Sequence, residues 1–478
     1  MPFHNLYQLA YALLPAFTIF LFSIIAAIVG LFKKYLIAKT ISYASIVISL
    51  SLIIYLISLN KTFFLYNGEI IVDRFSLIIW LSLIIGTAIA LGSMELDLIS
   101  KEALPLTLIS LSLAMVAIVA RDLLILFLAV EGSILPTYAL VAQFKKDPFS
   151  LEATVKYFIF GILATLLFAY GIAIIFGTIG STNFAIIASK IKSSNLFLSV
   201  LGFILILLSL AIKSTLVPLH TWAVDTYQGA PTSVTVFIST TSKMLGIAVI
   251  ALLVAGPFNS LYSITTIYYV LVTFAILTLI VPNVIALTQK DTKRLLAYSS
   301  IAHAGYMSLV YVFPNQTIFI LGYYLITYSI AKAASFLVVR IITGESSNSP
   351  YDALRGLFKQ NSLVGLTFAL SLLSLAGIPP FAGFMAKFLL FLSTALSSLL
   401  GIVLALIALI MSGVSVYYYI VVLRIASLKP LGNGNKSLNS SFEKDFFLVL
   451  VIMLLLILTF FPTYFYIPLP TVSYSSYT

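Results

Sequence analysis

The 478-residue chain has no cysteine, three histidines and only 15 acidic residues. The missing cysteines exclude structural disulfides, iron–sulfur clusters held by this chain and thiol chemistry. His4, His220 and His303 form no ligand cluster, which argues against an all-protein haem or zinc site. No G-x-G-x-x-G or G-x-x-x-x-G-K-[ST] string occurs, so the common phosphate-binding loops are missing too. Any redox step or nucleotide hydrolysis coupled to this chain is therefore expected on a partner, with no cofactor or metal held here. Charge is equally scarce. Asp, Glu, Lys and Arg make up 9% of the residues, against about 25% in a soluble domain.

What the chain does have is apolar sequence: 61% of its residues are hydrophobic. Most of it divides into runs of ~18–27 residues, long enough to cross a ~30 Å hydrocarbon core. The fold class expected is an all-α polytopic membrane protein. Fourteen spans are predicted, at 8–32, 36–59, 74–93, 103–120, 122–143, 154–180, 196–216, 231–255, 265–288, 294–313, 317–341, 362–392, 396–423 and 446–467. The polar-leaning stretches 343–361 and 429–445 are too short to fold alone. No basic region or small-residue cleavage site marks the first span as a signal peptide, so it reads as retained. With the N-terminus outside, seventeen Lys and Arg fall in inside loops and adjoining helix ends, among them Lys39, Lys101, Lys145, Lys146, Lys293, Arg294, Arg340, Lys436 and Lys444. Five fall outside: Lys61, Arg74, Arg121, Lys190 and Lys192. This bias puts both termini outside. It also accounts for the net charge of +11 without a nucleic-acid partner.

The remaining four cations, Lys213, Lys243, Lys332 and Lys387, lie inside predicted spans, as do Glu131 and His303. A lysine near the bilayer centre costs at least ~2.5 kcal/mol on insertion scales. Six such groups point to a bundle interior that carries or gates charge. Two spans are also broken. One runs into Lys213, then Pro218, and resumes after Gly229-Ala230-Pro231. The other contains Gly377-Ile378-Pro379-Pro380. Proline removes a backbone donor, and irregular backbone at membrane depth is tolerated where it lines protein or a wet cavity. Paired interruptions in the two halves of a chain indicate an internal repeat with an ion site between the halves. A sequence echo fits that reading: Arg121-Asp122-Leu123-Leu124 precedes Glu131 as Lys293-Arg294-Leu295-Leu296 precedes His303. The repeats expected are spans 4–8 and 9–13. The chain then divides into 1–102, 103–264, 265–430 and 431–478. For Glu131 and Lys213 the plain alternative is an ion pair that only fixes packing. His220 and Asp225 either line a channel mouth or cap the following helix.

Three strings carry a resemblance: LSLAIKSTLVPLHTWAVDTYQGAPTSVTVFISTTSKMLGIAVI (208–250), DTKRLLAYSSIAHAGYMSL (291–309) and LRGLFKQNSLVGLTFALSLLSLAGIPPFAGFMAKFLLF (354–391). They resemble the antiporter-like, proton-pumping membrane subunits of respiratory complex I, and their relatives in Mrp antiporters and membrane-bound hydrogenases. Within that superfamily TYQGAPT, AYSSIAHAGY and AGFMAKF look most like the N-type subunit. The resemblance covers roughly residues 65–425. It implies two inverted five-helix repeats and a row of charged residues at mid-membrane. It also implies that Glu131, Lys213, Lys243, His303 and Lys387 relay protons; from the broken spans themselves, Pro218, Pro379 and Pro380 are expected at entry or gating positions. Lys332 departs from the N-type pattern and matches the helix-11 lysine of other members, with Tyr328 where those have histidine. The function implied is proton translocation driven by redox chemistry in partner subunits, which would hold iron–sulfur clusters, flavin and quinone. The setting implied is the plasma membrane of a prokaryote, in contact with lipid, water and other membrane subunits of the complex. Two other readings stand beside it: a subunit of an Mrp-type Na⁺/H⁺ antiporter or membrane-bound hydrogenase, and a purely structural membrane subunit.

Overall fold

The computed structural model describes residues 2–94, 102–144, 147–263 and 265–430, with 448, 449, 451, 452 and 454. The fourteenth predicted span, 446–467, lies outside the described residues but for those five positions. So do Lys101, Lys145, Lys146, Lys436 and Lys444. Helices dominate the rest. The N-terminal group is α1 (Pro2–Leu31), α2 (Tyr35–Leu59) and α3 (Arg74–Ser93). Then come α4 (Ala103–Val119), α5 (Leu123–Val141), α6 (Pro148–Ile179), α7 (Phe184–Lys190), α8 (Leu196–Lys213), α9 (Thr221–Gly229), α10 (Thr232–Phe237) and α11 (Lys243–Ala255). The C-terminal half holds α12 (Thr265–Ala286), α13 (Thr292–Val312), α14 (Pro314–Thr343), α15 (Leu357–Gln360), α16 (Ser362–Ala376), α17 (Ala382–Ala395) and α18 (Leu399–Ser427). Among the described residues, 11 helical stretches are long and apolar enough to cross a membrane; α4, α16 and α17 are shorter apolar helices.

Local chemistry sets the helix ends. Asp73, Asp122, Asp147, Asn183, Asn195, Asp291 and Asn361 each accept a backbone N–H in the first turn of the helix that follows, the usual N-cap arrangement. Both expected breaks are present. α8 stops at Lys213, and the chain turns through Pro218 into α9 and then, past Pro231, into α10. α16 stops at Ala376, and Gly377 turns the chain at φ +79° before Pro379 and Pro380 lead into α17.

Two local features depart from regular α-helix. An antiparallel hairpin pairs β1 (Phe63–Leu65) with β2 (Ile70–Val72). Its turn includes Asn67 and Gly68 at positive φ, an Asn-Gly signal flanked by strand-forming residues. The span 232–255 is not one smooth helix either, because a π-helical turn at Ile238–Ser242 separates α10 from α11. There the side chains of Ser239 and Thr240 both bond to the Val236 carbonyl, at 3.1 and 2.7 Å. Such back-bonding competes with the regular ladder.

The two halves share a junction. Asp122 caps α5, pairs with Asn183 in a β-bridge and accepts from the Thr182 hydroxyl at 2.5 Å, while Leu123 N–H donates to Thr182 O. Asp291 caps α13, pairs with Pro350 and accepts from the Ser349 hydroxyl at 3.0 Å, while Thr292 N–H donates to Ser349 O. Counted from these two aspartates, the position matching Glu131 is Ser300. His303, which the sequence echo paired with Glu131, comes one helical turn later.

α10, α11, α13 and α14 are buried almost throughout, with α3 against them. α1, α2, α6 and α18 expose large apolar side chains such as Phe17, Ile48, Leu166 and Ile410, the surface a hydrocarbon solvent requires. α6 and α8 meet through glycines. A Cβ on Gly171 would lie 2.7 Å from the Gly202 carbonyl oxygen, a close backbone approach of the kind small residues permit between membrane helices. Gly171→Ala should therefore push α6 off α8 and cost about 1–3 kcal/mol, as overpacking does. Unfolding in one fixed detergent should show a lower midpoint than wild type.

Candidate functional site

α5, α6 and α8 build the first part of the site. Lys213 closes α8, and its Nζ lies 3.0 Å from Oε1 of Glu131 and 3.2 Å from Oε2. Thr165 of α6 donates to the same Oε2 at 2.8 Å. Beside the pair is a cavity of about 10 Å³ lined by Tyr138, Tyr157, Lys213, Trp222 and Ser242, roughly the space one water needs. Ser242, which ends the π-turn, immediately precedes Lys243 in the chain.

The other groups gather along α13. Lys243 Nζ donates to Ser300 Oγ at 3.1 Å. Lys332 of α14 donates to Ser299 Oγ at 2.5 Å and to the Leu296 carbonyl at 2.6 Å. One turn on, His303 Nδ1 is 3.0 Å from the Tyr324 hydroxyl. One turn further, Lys387 Nζ sits over the Tyr306 ring, 4.7 Å from its centroid. Lys387 also donates to the Ala376 carbonyl at 2.9 Å and to Ser412 Oγ at 3.0 Å. Lys213 precedes its helix break, whereas Lys387 follows its own and reaches back to a carbonyl that the break leaves open. Between α17 and α18 an apolar crevice of about 380 Å³, walled by Phe388, Leu392 and Leu406, leads to Lys387.

The structure thus brings Lys243, His303, Lys332 and Lys387 together around one helix, while the Glu131–Lys213 pair is held by α5, α6 and α8. His220 and Asp225 sit apart from that row. His220 stands at the N-cap position of α9 and is buried, with no side-chain capping bond. Asp225 is a full turn into α9 and joins three helices, bonding Lys156 of α6 at 2.5 Å and Arg294 of α13 at 3.0 Å. Neither residue caps a helix. Pro218 and the Pro379-Pro380 pair lie at the two breaks.

Several polar groups escaped the sequence reading. Lys293, counted there among inside cations, is fully buried and donates to the carbonyls of Ala230 and Ser346 at 2.8 and 3.1 Å. Arg340, also counted there, forms a buried 2.5 Å ion pair with Glu345, which accepts the Ser233 N–H at the start of α10 at 3.0 Å. Arg121 is buried against Asp73 at 3.3 Å. Burial of these cations depends on how loops fold over helix ends, which a hydropathy count does not register. The hydroxyls of Ser299 and Ser300 did leave a trace, as the two serines before His303 in AYSSIAHAGY.

Comparison with known proteins bears on this geometry. Residues 120–413 match the family described as NADH:quinone oxidoreductase/Mrp antiporter, TM. The chain is 40% identical over 300 residues to NADH-quinone oxidoreductase subunit 14 of Thermus thermophilus, covering 63% of this chain and 64% of that protein. It is 35% identical over 391 residues to NADH-quinone oxidoreductase subunit N 1 of Koribacter versatilis, covering 77% and 74%. The chain thus spans a little under two thirds of the first curated relatives it matches. A chain of respiratory complex I from Thermus thermophilus superimposes with a TM-score of 0.81 at 32% identity, covering 94% of this chain and 97% of that one. A chain of the archaeal membrane-bound sulfane sulfur reductase gives 0.84 at 23% identity, a likeness of fold. This chain belongs to the NADH:quinone oxidoreductase/Mrp antiporter membrane family.

The Glu131–Lys213 pair makes a direct test. Removing one partner of a buried pair leaves an uncompensated charge and typically costs about 3–5 kcal/mol, whereas replacing both by apolar residues is often neutral. Glu131→Leu should lower the unfolding midpoint strongly in detergent, and Glu131→Leu with Lys213→Met should recover most of the loss.

Proposed function

We propose that this chain is a proton-translocating membrane subunit of a complex I-like respiratory oxidoreductase. The observation that carries the reading is the row of buried ionisable groups from Glu131–Lys213 through Lys243, Lys332 and His303 to Lys387. All but Lys387, on the shorter apolar helix α17, lie in helical stretches long enough to cross a bilayer. Buried lysines in a membrane are costly, and among the described residues Lys243, Lys332 and Lys387 bond hydroxyls and backbone carbonyls rather than a carboxylate. A structural role would be served as well by apolar side chains.

In this reading Glu131, Lys213, Lys243, His303, Lys332 and Lys387 carry the proton. Pro218, Pro379 and Pro380 shape the breaks, and His220 and Asp225 lie toward a channel mouth. Desolvation favours a neutral amine, and a nearby carboxylate favours the ammonium. A small change in the Glu131–Lys213 separation can therefore load or unload Lys213. Moving one proton against ~150–200 mV costs about 3.5–4.6 kcal/mol, or a swing of about 3 pKa units. Buried lysines span that range.

Redox chemistry belongs to partner subunits on this proposal. They would supply the iron–sulfur clusters, flavin and quinone, while this chain stays redox-inert and packs against other membrane subunits. The shared Asp122 and Asp291 junctions support division into two inverted repeats, spans 4–8 and 9–13. Both termini would lie outside a prokaryotic plasma membrane. The deciding experiment is proton uptake into vesicles bearing the whole complex, with electron flow followed in parallel. Lys213→Ala should abolish most of the uptake while the complex still assembles. Uptake equal to wild type would reduce this chain to scaffold.

A further inference from the structure

Among the described residues, the Lys243 side chain bonds Ser300 Oγ, at 3.1 Å. Ser300 Oγ lies in turn 2.5 Å from the Tyr328 hydroxyl. Tyr328 reaches the Ser239 carbonyl of the π-turn at a long 3.4 Å, and its ring packs against His303 with centroids 5.1 Å apart. Ser300 and Tyr328 are fully buried, as is Lys243. Hydrogen bonds thus run from Lys243 through Ser300 to the Tyr328 hydroxyl, and the Tyr328 ring packs against His303.

We infer that the Ser300 and Tyr328 hydroxyls are the proton-passing groups between Lys243 and the His303 end of the row. The inference rests on the proton-translocation reading above and deepens it. A hydroxyl both donates and accepts, so each oxygen can take one proton and give up another. In the forward step the Lys243 Nζ–H bond breaks and a bond forms to Ser300 Oγ. Ser300 releases its own proton to the Tyr328 oxygen, and Tyr328 passes its own through a bridging water to a nitrogen of neutral His303, whose Nε2 is buried without a protein partner among the described residues. One proton enters at Lys243 and one leaves past Tyr328, with no change in oxidation state. The order can also reverse: a neutral Lys243 accepts from Ser300, Ser300 accepts from Tyr328, and Tyr328 leaves the Ser239 carbonyl. The length of that last bond suits a contact made in only one of the two orientations. Lys332 is held apart from this chain on Ser299 and the Leu296 carbonyl, which keeps Ser300 available to Lys243 alone among the lysines.

The test uses the whole complex in vesicles, reading protons taken up per electron and the solvent deuterium isotope effect on uptake. Four variants are compared: Tyr328→Phe, Ser300→Ala, Ser300→Thr and Lys213→Ala. Tyr328→Phe keeps the ring against His303 and removes only the hydroxyl. The expected result is at least a several-fold fall in protons per electron for Tyr328→Phe and Ser300→Ala in assembled complex, with a changed isotope effect. Ser300→Thr, which keeps the hydroxyl, should recover most of it. Wild-type values for Tyr328→Phe and Ser300→Ala beside a dead Lys213→Ala would overturn the hydroxyl bridge and leave the translocation reading standing. Wild-type uptake in Lys213→Ala would sink both. If Tyr328→Phe fails to assemble, the Ser300→Ala and Ser300→Thr pair decides: equal loss in both overturns the inference, and recovery in Ser300→Thr supports it.

Discussion

An ammonium ion out of water must find oxygen, and this chain supplies that oxygen mostly without carboxylates. Lys213 alone among the four mid-span lysines faces an acid. The others bind hydroxyls and backbone carbonyls: Lys243 on Ser300, Lys332 on Ser299 and Leu296, Lys387 on Ser412 and Ala376. The pattern extends to buried cations elsewhere, with Lys39 on the Met94 carbonyl at the end of α3 and Lys293 on Ala230 at the end of α9. The carbonyls used by Lys39, Lys293 and Lys387 sit at helix C-terminal ends, where the last turn lacks intrahelical partners and the helix dipole favours a cation. The broken helices therefore do chemical work as well as bend the chain: each interruption makes binding groups that an unbroken span would keep for itself.

The rest of the fold serves this requirement. Aspartates and asparagines are spent on N-caps at the helix ends, which leaves Glu131 as the mid-span acid. α13 acts as a spine, because residues spaced by three or four on one helix fall on one face. Ser299 and Ser300, His303 and Tyr306 meet that spacing and draw their partners from three neighbours: Ser300 from α11, Ser299 and His303 from α14, and Tyr306 from α17. Displacing α13 would thus disturb the contacts of Lys243, Lys332 and His303 and the ring beneath Lys387, but not the Glu131–Lys213 pair.

The fold was largely legible in the sequence because charge and proline stand out against an apolar background. Lys213, Lys243, Lys332 and Lys387 each interrupt a long hydrophobic run, and Pro218 with Pro379-Pro380 marks a backbone that cannot continue. The partners were less legible. Serine, threonine and tyrosine occur in nearly every span, and most satisfy a carbonyl of their own helix, as Ser308 does on Gly305. Nothing local separates Ser300, which serves a lysine, from Ser308, which serves its own backbone. The buried state of Lys293 and Arg340 was hidden for another reason. It arises where residues 344–349 fold over the start of α10, a contact between segments more than a hundred residues apart.

The crevice between α17 and α18 gives the bilayer a place in the site. Its walls are apolar and Lys387 lines it, so an acyl chain seated there in a bilayer would add to the insulation around that lysine. The protein is in this sense an unfinished capacitor, with lipid as part of its dielectric. Acyl-chain length and packing then become electrical properties of the site, and a detergent micelle, with shorter and looser chains, is a poorer insulator for the same polypeptide.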